Sequence, residues 1–207
     1  GEALVGAMRT FNLVIVGVGG QGILTLGSIV GTASMISGRD VSIAEVHGMS
    51  QRGGSVIVHV RIGEEPSPIV PVGAADHVIA LELIEAARYA HYARQDAFLV
   101  VNDFLWPPPL QKYPARDLIV SSLRAKNAKL YVFDANKLSA QYTGSIISAN
   151  IALLGFSLGV NQELEDIIPL DAVEKSLEEH FRKNILEANI KLLRAAYEEG
   201  LKHGRSR

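Results

Sequence analysis

The pattern of hydrophobic and polar positions begins with a buried strand and a buried helix. Leu13–Val16 is a short aliphatic run bounded by glycine, which is typical of a strand that is covered on both faces. Ile23–Ile36 follows as an apolar segment of helical length. Val41–Ala44 predicts a second strand, and the alternating valines of Ser55–Ile62 predict a third.

The link between the second and third predicted strands limits their relative direction. A parallel crossover connection needs roughly a dozen or more residues, usually including a helix. The segment from Glu45 to Gly54 is short and rich in glycine. We therefore expect an irregular loop and an antiparallel pair of strands at this point.

The rest of the chain predicts shorter elements and then a helical C-terminal part. Further strands are predicted at Ile69–Val72, His77–Leu81, Phe98–Val101, Leu118–Val120 and Leu130–Phe133. Helices are predicted at Leu83–Arg94, Ser122–Lys126, Leu138–Gln162, Leu170–Arg182 and Asn184–Leu201. The cluster Pro107, Pro108 and Pro109 predicts an extended loop. The pattern indicates an α/β fold: a Rossmann-like, mixed but mostly parallel sheet with flanking helices and a C-terminal helical segment.

Length and composition fit one folded domain. The chain has 207 residues, of which 48% are hydrophobic and 20% charged, and neither a repeat nor a linker divides it. We expect residues 8–162 to form the α/β core and residues 163–207 to add the C-terminal helices of a single domain that spans 1–207.

Charge and cysteine content exclude several kinds of chemistry. The formal net charge of -2 gives no electrostatic reason to expect binding to nucleic acid or to an anionic membrane. The chain has no cysteine, so it has no disulfide, no thiolate nucleophile and no cysteine-ligated iron–sulfur cluster. Any cluster chemistry must therefore belong to another chain.

One uncharged stretch, Phe11–Gly38, is long enough to cross a bilayer. Its many glycines, together with Gln21 and Thr25, favour instead a strand, a tight turn and a buried helix. A basic segment with a small-residue cleavage site does not precede it, so we expect a cytoplasmic protein.

A glycine-rich turn joins the first predicted strand to the first predicted helix. Residues 17–22 read Gly-Val-Gly-Gly-Gln-Gly and match the pattern G-x-G-x-x-G. Such glycines let backbone N–H groups approach a phosphate, and the helix N-terminus adds partial positive charge. Glu45, at the end of the second predicted strand, occupies the place of a ribose-binding acid. The other interpretation is that these glycines only allow the strand and the helix to pack closely.

A second loop carries further polar groups toward the same edge of the sheet. Its sequence from Glu45 to Gly54 is EVHGMSQRGG. Arg52 can bind a phosphate or a carboxylate through its planar guanidinium, and Gly53 and Gly54 can form an anion-binding nest of N–H groups. Alternatively, Arg52 makes an internal salt bridge and the glycines only turn the chain. His47 has no second histidine at suitable spacing, so we expect no metal site.

These residues together resemble the gamma-type subunits and domains of 2-oxoacid:ferredoxin oxidoreductases, and most of all the indolepyruvate branch of that family. The motifs that carry the resemblance are GVGGQGI, EVHGMSQRGGSV, Asp76 before VIALE, NIALLG from Asn150, and Lys183-Asn184 before the last helix. They cover nearly the whole chain, and HGMSQRGGSV is the most specific of them.

The resemblance implies a reaction that other subunits catalyse. Thiamine diphosphate and the iron–sulfur clusters are expected on a large partner subunit, through which ferredoxin is reduced, and this chain is expected to bind no cofactor alone. An aryl 2-oxoacid such as indolepyruvate would be oxidatively decarboxylated to an acyl-CoA, with CoA as co-substrate. The resemblance indicates no catalytic residue in this chain, which we expect to be inactive by itself.

We expect the two loops to line the path of CoA. The candidate binding residues are Gly17, Gly19, Gly20, Gln21, Gly22, His47, Ser50, Arg52, Gly53 and Gly54.

Two other functions remain open at this stage. A stand-alone NAD(P)- or FAD-binding oxidoreductase fits the glycine pattern and Glu45, but the short link after the second strand argues against it. A non-enzymatic anion-binding interaction module fits the apolar helices Ile23–Ile36 and Leu138–Gln162, which need cover. For one such helix, the preferred interpretation is that it is sandwiched between the sheet and the C-terminal helices. Because two such helices strain the cover that a chain of this size offers, we expect an obligate interface larger than about 1,600 Å².

Overall fold

The structure, a computed structural model, describes residues 9–48 and 54–204. Within them, the strands are β1 (Phe11–Val18), β2 (Val41–His47), β3 (Ser55–Ile62), β4 (Ala75–Ala80), β5 (Ala93–Asn102) and β6 (Lys129–Phe133). The helices are α1 (Ile23–Ile36), α2 (Leu83–Tyr89), α3 (Arg116–Arg124), α4 (Ala135–Thr143), α5 (Ala149–Val160), α6 (Gln162–Ile167), α7 (Leu170–His180) and α8 (Lys183–Gly204). Single 3₁₀ turns at Ala90–Tyr92 and Ile146–Ser148 link some of them.

The strands form one mixed sheet in the order β2-β3-β1-β4-β5-β6. Strands β1, β4, β5 and β6 run parallel, and β3 lies antiparallel between β1 and β2. The expected α/β class and the antiparallel second and third strands are therefore confirmed. The physical reason is the short link from β2 to β3, which leaves no room for a crossover helix.

Two apolar cores cover the two faces of the sheet. Leu13 and Ile15 of β1 face a core that includes α1, α5, α7 and α8, whereas Val14 and Val16 face a core that includes α2 and α3. All four side chains have no exposed surface. This explains why β1 reads as a continuous aliphatic run rather than as an alternating one.

Several predicted elements were wrong because tertiary contacts or capping residues overrode a local pattern. Residues 69–72 form no strand; instead the Val70 backbone N–H donates to His59 Nδ1 at 3.1 Å, which places this turn over β3. Residues 118–120 are not a strand but part of α3, where Ile119 and Val120 lie one turn from the buried Leu123.

Two helices that the sequence predicts as long and continuous, at residues 83–94 and 138–162, are shorter or divided in the structure. The helix predicted for residues 83–94 ends at Tyr89, and Arg94 lies in β5, where its Nε donates to Asp76 Oδ1 at 2.7 Å. The segment 138–162 is interrupted because α4 ends at Thr143 and is capped by Gly144, whose φ of 75° lies in the left-handed region.

The apolar helix α5 is covered by the chain itself. All twelve of its residues are buried, between the sheet and α8. Gly155 and Gly159 of α5 face the backbone of α8, so the two helices approach closely. α5 is therefore sandwiched between the sheet and a C-terminal helix, as preferred for a single apolar helix, and the large interface expected from two such helices stays a prediction. In the described parts of the chain, no helix is long and apolar enough to cross a membrane.

Candidate functional site

The glycine loop, residues 17–22, lies at the carboxyl end of β1, next to the carboxyl end of the parallel strand β4. α1, which follows β1, packs on one face of the sheet and α2, which follows β4, packs on the other. A crevice forms at such a switch point because the two connections leave in opposite directions. The topology therefore places the glycine loop where open α/β sheets bind their ligands.

Gln21 fixes the shape of the glycine loop. Its Oε1 accepts a hydrogen bond from the Val18 backbone N–H at 2.8 Å, and its Nε2 donates to the Leu81 backbone oxygen at 3.3 Å. A Cβ added at Gly17 would lie 2.8 Å from Gln21 Oε1, so only glycine leaves room for this side chain. Gly17 and Gln21, which were predicted to contact a ligand, thus shape the loop from within.

The N-terminus of α1 carries neither a side-chain cap nor an acidic residue in its first turn. Its N-cap is Gly22, which has a φ of 73° in the left-handed region and whose carbonyl accepts from Asn150 Nδ2 at 3.1 Å. The first N–H groups of a helix have no partner within the helix, so they remain available to a ligand. This end of α1 therefore has the electrostatic character of an anion-binding site.

The residue that precedes β3 is hydrogen-bonded to the glycine loop. The Gly19 backbone N–H donates to the Gly54 carbonyl at 3.2 Å, so two of the predicted binding residues are brought together. His47 Nε2 lies 2.9 Å from Glu45 Oε1, and both side chains line a cavity of about 360 Å³ with Gly19, Gly20 and Gly22. Glu45 is thus close to the loop, as predicted, but it pairs with His47.

Three predicted binding residues, Ser50, Arg52 and Gly53, lie outside the described residues. The described residues on either side of this segment are held by backbone hydrogen bonds: the Gly48 N–H donates to the Ser55 carbonyl at 2.7 Å, and the Gly19 N–H donates to the Gly54 carbonyl at 3.2 Å.

A larger cavity of about 460 Å³ opens on the other side of the loop, between α1, α5 and α8. Its polar wall includes Thr25, Ser145, Ser148, Asn150 and Asn184. Sequence reasoning did not select Thr25, Ser145 or Ser148. Asn150 and Asn184 appeared only inside motifs, and the available signal for Asn150 was its polarity within an apolar helical segment.

A pair of buried acids lies behind the loop. Glu82 is fully buried, and its carboxylate accepts from the backbone N–H groups of Glu85 at 2.8 Å and Trp106 at 3.3 Å. Burial raises the pKa of both Glu82 and Glu85, although the hydrogen bonds to the Glu82 carboxylate oppose this rise. Glu85 lines a cavity with Gly19 and Ser55.

Asp76, which the sequence placed before a motif strand, lies in β4 and has a structural role. Its carboxylate accepts from Arg9 Nη1 at 2.9 Å, from Arg94 Nε at 2.7 Å and from the Asn12 backbone N–H at 2.8 Å. Across residues 9–48 and 54–204, no group of three His, Asp or Glu side chains is arranged to hold a metal ion.

The comparisons with known proteins agree on one family. A sequence model described as pyruvate ferredoxin/flavodoxin oxidoreductase matches residues 12–199. The chain is 37% identical to the indolepyruvate oxidoreductase subunit IorB of Archaeoglobus fulgidus, over 92% of this chain and 95% of that protein.

Solved structures share the fold. Pyruvate oxidoreductase subunit PORC of Thermotoga maritima is similar with a TM-score of 0.71 and 24% identity, over 92% of this chain and 97% of that one. The 2-oxoglutarate:ferredoxin oxidoreductase of Magnetococcus marinus, with 2-oxoglutarate, coenzyme A and succinyl-CoA bound, has a TM-score of 0.67 at 16% identity. That match covers 97% of this chain and 32% of the other.

Proposed function

Since this chain belongs to the pyruvate ferredoxin/flavodoxin oxidoreductase family, we propose that it is the accessory subunit of a 2-oxoacid:ferredoxin oxidoreductase that acts on an aryl 2-oxoacid such as indolepyruvate. The observation that carries the proposal is the 37% identity to an indolepyruvate oxidoreductase subunit along nearly the full length of both proteins.

In the proposed assembly, the large partner subunit holds thiamine diphosphate and iron–sulfur clusters, which supply the decarboxylation and the electron transfer. The 2-oxoacid loses carbon dioxide, its acyl group passes to the thiol of CoA, and the electrons released reduce ferredoxin. This chain contributes binding and positioning rather than a reacting group.

We further propose that the glycine loop and the uncapped N-terminus of α1 hold a phosphate group of CoA. The support is the set of first-turn N–H groups without a side-chain cap, the absence of acidic residues from the first turn of α1, and the adjacent cavity whose wall includes Thr25. Arg52, which was predicted from sequence to bind the same ligand, would add a cation from the neighbouring loop.

Co-expression with a thiamine-binding partner tests the assignment. The complex should elute together on size-exclusion chromatography and reduce a viologen dye when an arylpyruvate and CoA are both present. The isolated chain should show no activity and bind no NADH. Failure to associate with any such partner, or turnover by the isolated chain, would contradict the proposal; NADH binding would favour a stand-alone dinucleotide enzyme.

Two variants of Thr25 test the CoA site by charge alone. Thr25 is exposed in the first turn of α1, so Thr25→Asn and Thr25→Asp should both fold. The aspartate opposes a bound phosphate, and we expect the KM for CoA to be about tenfold higher in Thr25→Asp than in Thr25→Asn. Equal KM values for CoA in the two complexes would exclude a phosphate at this position.

A further inference from the structure

Asn150 is a buried amide in the first turn of α5. All twelve residues of this helix are buried, and its only two polar side chains belong to Asn150, which is 5% exposed, and Ser157. A buried amide costs free energy unless both its oxygen and its NH₂ group have partners. Asn150 therefore depends on specific contacts at this position.

Both halves of the Asn150 amide are hydrogen-bonded. Its Oδ1 accepts from the Ile151 backbone N–H at 2.9 Å, and its Nδ2 donates to the Gly22 carbonyl at 3.1 Å. The opposite orientation of the amide would place its oxygen against that carbonyl and its NH₂ group against that N–H, so only one orientation fits. The contact joins α5 to the N-cap of α1, which lies 128 residues earlier in the chain.

The contact fixes the peptide group that begins α1. The Gly22 carbonyl and the Ile23 N–H belong to one planar peptide, so they point in opposite directions. The same carbonyl accepts the first hydrogen bond within α1, from the Leu26 N–H at 3.0 Å. With the carbonyl held by these two donors, the Ile23 N–H points away from the body of the helix, as do the next first-turn N–H groups.

Gly22 needs this support from outside α1. Its φ of 73° and ψ of 33° lie in the left-handed region, and glycine adopts left- and right-handed conformations at similar cost. A side-chain cap, which would hold the first turn from within, is absent from α1. Rotation of the peptide between Gly22 and Ile23 would therefore present a carbonyl oxygen to an anion where an N–H group now points, and an acceptor repels an anion.

We propose that Asn150 is a positioning residue: by holding the Gly22 carbonyl, it keeps the first N–H groups of α1 directed at a bound anion, which under the proposed function is a phosphate group of CoA. The inference rests on that proposed function and adds a residue from a distant helix to the same site. Because Asn150 acts through Gly22 and not on the reacting atoms, its loss should weaken CoA binding and spare turnover.

Amide hydrogen exchange tests the support of α1 without any ligand. The Leu26 N–H, bonded to the Gly22 carbonyl, reports opening of the first turn in the ¹⁵N-labelled full chain. We expect this amide to exchange about tenfold faster in Asn150→Ala than in wild type. Ser157→Ala is the matched control, because Ser157 lies about two turns further along α5 and contacts His77 instead. It should leave exchange at Leu26 unchanged.

Steady-state kinetics of the complex with the thiamine-binding partner test the effect on CoA. We expect the KM for CoA to rise about tenfold in Asn150→Ala, with kcat and the KM for the 2-oxoacid unchanged. Ser157→Ala should change none of the three. Should Asn150→Ala fail to fold, Asn150→Ser keeps a polar group beside the Ile151 N–H but is one bond shorter toward Gly22, and the same results are expected from it.

Faster exchange at Leu26 together with a raised KM for CoA supports the proposal. Unchanged exchange overturns it, and faster exchange with an unchanged KM also overturns it, because Asn150 would then have only a structural role.

A wild-type complex that does not use CoA would instead contradict the proposed function. Inorganic pyrophosphate then serves as the probe: it should shift the Ile23 N–H resonance of the isolated wild-type chain and bind about tenfold more weakly to Asn150→Ala. No shift, or equal affinity for the two chains, overturns the role of Asn150.

Discussion

His77 is a fully buried ionisable side chain in β4, and its hydrogen bonds define its protonation state. Asn161 Nδ2 lies 3.0 Å from His77 Nδ1, so Nδ1 accepts and Nε2 carries the proton, which it donates to Ser157 Oγ at 2.9 Å. Burial lowers the pKa of His77 to about 3, and the nearby Asp76 opposes this only in part. The neutral imidazole is therefore a structural link between β4 and α5.

This shift makes stability depend on pH. Between the folded pKa of about 3 and the unfolded value of 6.5, the unfolded chain binds a proton that the folded chain does not, so stability falls as pH is lowered through that window. At about pH 5 the loss is about 2 kcal/mol. Urea unfolding across this window should show a smaller pH slope for His77→Gln than for wild type.

The exposed His91 provides the control, since His91→Gln should leave the slope unchanged. Identical slopes in wild type and His77→Gln would mean that His77 does not titrate as its burial implies.

At the scale of elements, the contact between α5 and α8 depends on glycine. Gly155 and Gly159 of α5 lie against the backbone of α8, and Gly200 and Gly204 of α8 lie against the backbone of α5. The sequence predicted two apolar or amphipathic helices here and allowed the C-terminal helices to cover the apolar one, but it did not indicate that their backbones would approach so closely. Such close approach depends on the absence of a Cβ at each crossing position.

Gly159→Ala tests this contact. A Cβ at position 159 would meet the backbone at Tyr197 and Leu201, so the helices must separate, at a net cost of about 2 kcal/mol despite the higher helix propensity of alanine. Glu187→Ala, at an exposed position of α8, is the matched control and should change stability little. Thermal unfolding measures both; an unchanged midpoint for Gly159→Ala would show that the helices can adjust freely.

At the scale of the whole molecule, Asp76 joins parts of the chain that are far apart in sequence. Its carboxylate, 2% exposed, holds Arg9 before β1, Asn12 in β1 and Arg94 in β5. Arg9 also contacts Glu163 in α6 through Nη2 at 2.6 Å. The sequence marked Asp76 only as the first residue of a strand motif, because none of these partners is near it in sequence.

Asp76→Asn should therefore destabilise the whole fold. The amide keeps the size of the side chain but loses the charge that binds two guanidinium groups, one of them more than half exposed, and we expect a cost of about 2 kcal/mol. Asp117→Asn, whose side chain is 92% exposed, removes a surface charge as a control. Denaturant midpoints that fall equally in both variants would contradict a special role for Asp76.

The family resemblance inferred from the motifs is confirmed by the sequence match over residues 12–199, and so is the α/β fold class. The candidate site was predicted in part. Gly19, Gly20, Gly22 and His47 line one cavity, and the Gly54 carbonyl accepts from the Gly19 N–H. Gly17 and Gln21 shape the loop, and Ser50, Arg52 and Gly53 lie outside the described residues.

The sequence by itself determined β1, α1 and β3, because continuous or alternating apolar runs bounded by glycine have few other solutions. It also determined the antiparallel pairing of β2 and β3, since the length of a link limits the direction of the next strand. Only the tertiary structure decided that residues 118–120 are helical, that α8 covers α5, and that Glu85 and Trp106 line the same cavity. Those features depend on contacts between residues distant in sequence, and a local pattern carries no information about which distant groups will meet.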